Sequence, residues 1–169
     1  IDSRSVIGIE TDGEPLGIYP YALNDISLFK RDVAAMITVR ATVDGQYLNT
    51  YQADGLVVST PTGSTAYSLS NGGPIVVPQS KVLTLTPVAP HSMSTRPIVL
   101  PDTSEIRLEV KSRSHNFMIA IDGEATKLHE GTVMTIRRAP YEAKMVVRGD
   151  ITYFSTLREK LMWGATQTK

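Results

Sequence analysis

The residues best suited to chemistry lie in one run, Asp54 to Pro74, which reads DGLVVSTPTGSTAYSLSNGGP. It joins a short apolar stretch, Leu56 to Val58, to a hydroxyl-rich turn, Ser59 to Thr65, and then to a brief helical stretch, Ala66 to Ser70. A strand, a turn and a helix in that order can grip a polar ligand. Gly63 gives the turn backbone angles closed to other residues and lets a ligand approach the main chain. The hydroxyls of Ser59, Thr60, Thr62, Ser64 and Thr65 are placed to cap the helix, and the N–H groups there favour acceptor-rich or anionic ligands. The same composition also serves a plain turn whose hydroxyls bond nearby backbone. No lysine follows the glycine, so the run is not a P-loop. Asn71-Gly72-Gly73-Pro74 ends the helix.

Other candidates flank this run. Asn24 and Asp25 precede the apolar Ile26 and Leu28, at a strand entrance where they either face a cleft or form a surface turn. Asp54 and Asp122 each precede a glycine, the usual residue pair of a tight turn and equally a way to aim a carboxylate into a site. His91, Ser92 and Arg96 share a proline-bounded loop, PHSMSTRP, in which a lone histidine or arginine more often serves the loop itself. His91, His115 and His129 have no zinc-like spacing and no cysteine beside them. No G-x-G-x-x-G follows a strand, so no Rossmann site is indicated.

Taken together, ALND at Ala22 to Asp25, the long central run and PHSMSTRP resemble the C-terminal domain of the NAD kinases, and the likeness covers nearly the whole chain. Those enzymes move a phosphoryl group from ATP, or from polyphosphate, onto the 2′-hydroxyl of the adenosine ribose of NAD, giving NADP. The resemblance implies a substrate-binding domain in which Asn24 and Asp25 meet the adenosine, Asp25 being one methylene shorter than the family's glutamate. It also implies that Thr62, Thr65 and Ala66 read polar edges of a base, Tyr67 packs on a ring, and Asp54 and Ser70 bond ribose or carboxamide. His91 is implied as a wall of the site, and Asp122-Gly123 as part of its lining.

The family's G-G-D-G motif, which supplies its catalytic aspartate, is absent from this sequence, so no catalytic residue is assigned here and that aspartate is expected upstream. The chain begins at Ile1 rather than methionine, in keeping with that expectation. Magnesium is expected in the full enzyme, with NAD and ATP as substrates, and a homo-oligomer, dimer or tetramer, is expected. Lipid kinases that share the two-domain plan are a more distant likeness. The reading from a different class is a non-catalytic β-sandwich interaction module with the hydroxyl-rich turn as a mere loop.

These residues need a scaffold, and its pattern is mostly of strands. Val6 to Glu10 reads as one, and Met36 to Val43 alternates apolar and polar residues before an Asp44-Gly45 hairpin turn into Gln46 to Tyr51. Ile75 to Val77, Val82 to Val88, Ile106 to Val110, Phe117 to Ile121, Glu124 to Leu128, Val133 to Arg137 and Lys144 to Val147 follow. Many short strands with regular turn signals predict an all-β dominated fold, a sandwich of mostly antiparallel strands. A short helix after the central motif and a C-terminal helical tail complete it. Residues 1–150 are expected to form the NAD-binding domain. Residues 151–169 form a tail expected to pack on an N-terminal domain outside this chain, its helix Tyr153 to Trp163 capped by Thr156 and Glu159, with Phe154, Leu157, Leu161 and Met162 as its apolar stripe.

With 169 residues, 41% of them apolar, the chain suffices for one domain with a real core. Seventeen basic and seventeen acidic residues cancel without long blocks, which points away from nucleic acid and anionic membranes. Gly55 to Ser80 carries no charge, yet its Ser, Thr, Gly, Asn and Pro content argues against a membrane span. Cysteine is absent, which excludes disulfides and thiol chemistry and is compatible with the expected cytoplasmic location.

Overall fold

The computed structural model describes residues 1–163. Its strands are β1 (Asp2–Asp12), β2 (Tyr21–Ala22), β3 (Asp25–Phe29), β4 (Ile37–Val43), β5 (Gln46–Ala53) and β6 (Gly55–Ser59), then β7 (Val82–Val88), β8 (Ile98–Pro101), β9 (Ile106–Lys111), β10 (Asn116–Ile121), β11 (Glu124–His129) and β12 (Val133–Met145). A 3-10 turn (Thr62–Thr65) and helix α1 (Tyr67–Ser70) follow β6, and helix α2 (Tyr153–Leu161) follows β12. The strands form two six-stranded sheets, ordered β2-β1-β12-β9-β4-β5 and β11-β10-β3-β6-β7-β8. Every neighbouring pair is antiparallel. The predicted β-sandwich is the observed fold.

Period-two alternation explains why the sheets stack. Ile7, Val39, Leu108 and Ile136 from the first sheet meet Ile26, Leu28, Leu56, Val58, Leu85, Phe117 and Ile119 from the second in one buried cluster. The hairpin turns at Asp44-Gly45 and Asp122-Gly123 have positive φ at both positions, 49° and 77° in the first and 47° and 85° in the second. That geometry matches the twist of the strands they join, and aspartate followed by glycine is the pair that tolerates it.

Strand β6 is buried along its whole length, which explains its unbroken Leu-Val-Val run. Leu56 and Val58 face the sandwich core, so Val57 faces the other way. Over that outer face lies α1, tethered by a 3.0 Å hydrogen bond between the hydroxyls of Ser68 and Thr86, and Thr86 is the register partner of Val57. The helical segment therefore sits on the outside of the second sheet, and the site is built there.

Four local expectations are corrected. Ile75 to Val77 is not a strand; instead Val76 is held by its N–H donating to the Ser64 hydroxyl at 2.9 Å, and prolines at 74 and 78 leave little room for a ladder. Val133 to Arg137 and Lys144 to Val147 are not two strands: β12 runs unbroken to Met145, its register against β1 shifting between Ser5 and Ile7 to accommodate the stretch around Pro140. Helix α2 is capped by Thr152 with Ser155, not by Thr156 with Glu159, because the chain turns helical four residues earlier. The helix stops at Leu161 rather than reaching Trp163, since Met162 takes the left-handed conformation that closes it. Of the stripe on α2, Leu157 is buried while Phe154 and Met162 are exposed; residues 164–169 of the tail lie outside the described residues.

Phe117 is the largest side chain fully enclosed in the core. Its replacement in Phe117→Ala is expected to cost about 3–5 kcal/mol in denaturant unfolding. A loss under about 1 kcal/mol would contradict the packing described.

Candidate functional site

The outer face of the second sheet carries a cavity of about 640 Å³, lined among others by Asn24, Asp25, Ser27, Phe29, Lys30, Asp54, Ala66, Tyr67, Val88, Ala120, Asp122 and Gly123. Its floor follows from alternation. With Ile26 and Leu28 committed to the core, Asp25, Ser27 and Phe29 must point outward. Ser27 is the register partner of Ala120 on β10, and two such small side chains leave a hollow in the middle of the sheet. Ala66 and Tyr67 form the rim above it.

Three loops are locked together at one end of this cavity. The Asp122 carboxylate accepts hydrogen bonds from three consecutive backbone amides, Leu23 at 2.7 Å, Asn24 at 2.8 Å and Asp25 at 3.1 Å. The Asp122 amide in turn donates to the Asp25 carbonyl at 3.0 Å. From the other side, the buried Thr60 donates its amide to the Asn24 carbonyl at 2.9 Å and its hydroxyl to the Leu23 carbonyl. The Thr60 hydroxyl also accepts from the Gly63 amide at 3.1 Å. Gly63 itself packs so closely on the Asn24 backbone that a Cβ would collide with the Asn24 carbonyl and Cα.

These contacts revise the chemistry expected of the central turn. Gly63 is not in the left-handed region; its missing Cβ is what lets the Asn24 backbone approach. No side chain caps the 3-10 turn or α1. The hydroxyls bind the turn to its surroundings instead: Thr60 as above, Ser64 donating to the Pro61 carbonyl at 2.7 Å, and Ser68 to Thr86. At four residues, α1 is too short to serve as an anion site.

The cavity's own charges point to a different kind of ligand. Of its carboxylates, Asp122 is occupied by backbone amides and Asp54 pairs with Lys30 at 3.0 Å. The Lys30 amide also donates to the Asp54 carbonyl at 2.8 Å, which fixes the pair in place. Among the described residues, Asp25 has no such partner. Burial, and secondarily the neighbouring negative charge of Asp122, push its carboxyl up to about 6. A cavity with three carboxylates and one engaged lysine attracts donors such as hydroxyls and amino groups, and discourages phosphates. Phe29, Val88 and Ala120 give it an apolar wall for a ring.

Of the residues selected from sequence, Asn24, Asp25, Asp54, Ala66, Tyr67, Asp122 and Gly123 line the cavity. Thr62 and Thr65 sit half-buried in the adjoining turn, where the Arg4 guanidinium donates to the Thr62 hydroxyl at 3.3 Å, and Ser70 is exposed at the end of α1. His91 lies elsewhere, in a second depression with Asn49, Gln52, Ser94 and Thr95. Ser27, Phe29, Lys30, Val88 and Ala120 were missed. The signal for Ser27 and Phe29 was present, since they alternate with core residues starting from Asp25. Lys30, Val88 and Ala120 are brought in only by strand pairing.

A family model described as the ATP-NAD kinase C-terminal domain matches residues 23–148. The NAD kinase of Bacteroides fragilis is 55% identical over 165 residues, covering 98% of this chain and 57% of that protein. The NAD kinase of Porphyromonas gingivalis is 46% identical over 166 residues, with 98% and 57% covered. Among solved structures, yeast NADH kinase complexed with NADH has a TM-score of 0.89 at 27% identity, covering 99% of this chain and 52% of that one. An NAD kinase from Archaeoglobus fulgidus in complex with ATP has a TM-score of 0.72 at 26% identity, covering 84% and 53%. The chain thus spans a little over half the length of these relatives.

The Asp25 environment sets a pH dependence. A carboxyl raised from 3.8 to about 6 favours the folded state while neutral, so that contribution is present below pH 3.8 and is lost as pH rises through about 6. Asp25→Asn should therefore gain stability relative to the parent protein across that window and hold the gain above it, read as melting temperature against pH. A difference that does not change with pH would contradict the buried, unpaired carboxylate.

Proposed function

This chain belongs to the NAD kinase family, as the match to the family's C-terminal domain and the identity to its members establish, and we propose that it holds the nucleoside part of NAD for 2′-phosphorylation to NADP. The observation that carries the reading is the convergence at one acidic cavity of Asn24, Asp25, Asp54, Ala66 and Tyr67, from three separate segments of the chain.

The side chains suit that task. The Asn24 amide both donates and accepts, as the edge of a base requires. Asp25 and Asp54 accept from ribose hydroxyls or an amino group. Tyr67 offers a ring face at the rim, and Phe29, Val88 and Ala120 an apolar surface beneath. Selectivity follows because an analogue lacking one of these donors leaves a desolvated acceptor unpaired, at a cost of about 1–3 kcal/mol.

Phosphoryl transfer further needs the 2′-hydroxyl aligned with the terminal phosphate of ATP or polyphosphate, cations to offset its charge and an acceptor for the proton. The acidic cavity supplies the alignment. Among the described residues no group of three or more His, Cys, Asp or Glu could hold a metal ion, and no step is assigned to the magnesium expected with ATP. The proton acceptor and the phosphate-binding cations are ascribed to protein outside this chain, where the G-G-D-G motif of the family is expected. A homo-oligomer in the cytoplasm remains part of the proposal; no described helix is long and apolar enough to cross a membrane.

Calorimetric titration of the full-length protein with NAD tests this. Asn24→Ala combined with Asp54→Ala is expected to weaken binding at least about 30-fold, the loss of two contacts of about 1 kcal/mol or more each. Unchanged affinity would show that the nucleoside binds elsewhere.

A further inference from the structure

One buried group has no role in the cavity as described. Ser59 is fully enclosed, and its hydroxyl is the buried side-chain oxygen that finds no hydrogen-bond partner among the described residues. Leaving such a group unpaired costs about 1–3 kcal/mol, so it calls for a physical reason. The core does not supply one, because Val58 faces the core and Ser59 therefore faces outward, beneath the site.

The register does supply one. Ser59 on β6 is the direct partner of Asp25 on β3. Their neighbours Thr60 and Asn24 share the hydrogen bond from the Thr60 amide to the Asn24 carbonyl. Asp25 turns both its own backbone groups toward Asp122, not toward Ser59. The Asp25–Ser59 pair is therefore of the non-hydrogen-bonded kind, in which facing side chains come closest. On its far side Ser59 faces Thr84, across the wider kind of pair.

We propose that Ser59 is the positioning residue for Asp25: its hydroxyl donates to the Asp25 carboxylate and holds it as an ionised acceptor facing the bound nucleoside. The bond needs only a side-chain rotation within one cross-strand pair. It satisfies both the hydroxyl and the one cavity carboxylate without a partner. The other charged groups around Asp25 do not replace it, since Asp122 is negative, Lys30 is taken by Asp54, and β6 carries no charge. Tyr67 stands at the rim rather than beneath. The inference rests on the proposed nucleoside site for its functional meaning, while the Ser59–Asp25 pairing can be read without a nucleotide.

The test uses the full-length protein and its Ser59→Ala and Ser59→Thr variants. The Asp25 carboxyl is titrated by ¹³C NMR, and NAD affinity is measured from pH 5 to pH 8. Removing the donor disfavours the anion, so Ser59→Ala should move the Asp25 midpoint upward by about one unit, equivalent to about tenfold in its ionisation. The acid limb of NAD binding should move with it. Ser59→Thr, which keeps the hydroxyl and suits a strand, should restore both; it also serves if the alanine variant fails to fold. A merely structural hydroxyl predicts no change in either midpoint, and that result overturns the proposal. If the Asp25 midpoint moves but the parent protein does not bind NAD, the pairing stands and the nucleoside reading of the cavity falls.

Discussion

The site depends on a single carboxylate to which no ligand contact is assigned. Asp122 gathers the amides of Leu23, Asn24 and Asp25 on its two oxygens, and without that acceptor three consecutive N–H groups would be left to solvent and the loop untied. Hydrogen bonds to a charged acceptor are the strong kind, and this one sits at a turn whose left-handed backbone is fixed by Gly123. The clamp aims Asn24 and Asp25 into the cavity. Thr60 and the close contact of Gly63 on Asn24 then bring the central run against the same loop. Segments about 35 and 60 residues apart in sequence thereby act as one rigid wall.

Electrostatics make that wall selective at some expense in stability. Asp54 is offset by Lys30 and Asp122 by backbone dipoles, but Asp25 is buried without a counter-charge among the described residues. Strain of that sort is typical of binding sites, where the group that would relax the free protein is the ligand. The same imbalance makes the cavity a poor host for phosphates. A cavity rich in carboxylates can read hydroxyls and amino groups, and under the proposed function the cations for phosphoryl transfer lie outside it.

Much of the fold was legible because alternation is a strong local signal. Ile37 to Val43, the Asp44-Gly45 turn and Phe117 to Ile121 read directly as hairpin elements. The long strand to Met145 was harder, because Pro140 and the register shift beside it interrupt the pattern locally while β1 keeps the pairing intact. At the site, residue types pointed to loops that line the cavity, while the partners of several of their side chains were not legible. For the hydroxyl-rich turn, residue types left open either a ligand grip or a plain turn whose hydroxyls bond backbone, and Thr60, Ser64 and Ser68 are spent on backbone and on Thr86. Asp122 was read as lining, which it is, but that its carboxylate also clamps three backbone amides was not legible. Such distinctions depend on which segments pair across the sheet, and no local stretch records that. Lys30 and Ala120 were invisible for the same reason.

The placement of the nucleoside at this clamp is the central claim, and hydrogen–deuterium exchange of the full-length protein with and without NAD tests it most directly. NAD is expected to slow exchange at the segments that close on the cavity, residues 23–30, 60–67 and 120–123, while the depression around His91 keeps its rates. Slowing centred on residues 49–52 and 90–95, with the cavity segments unchanged, would contradict the account.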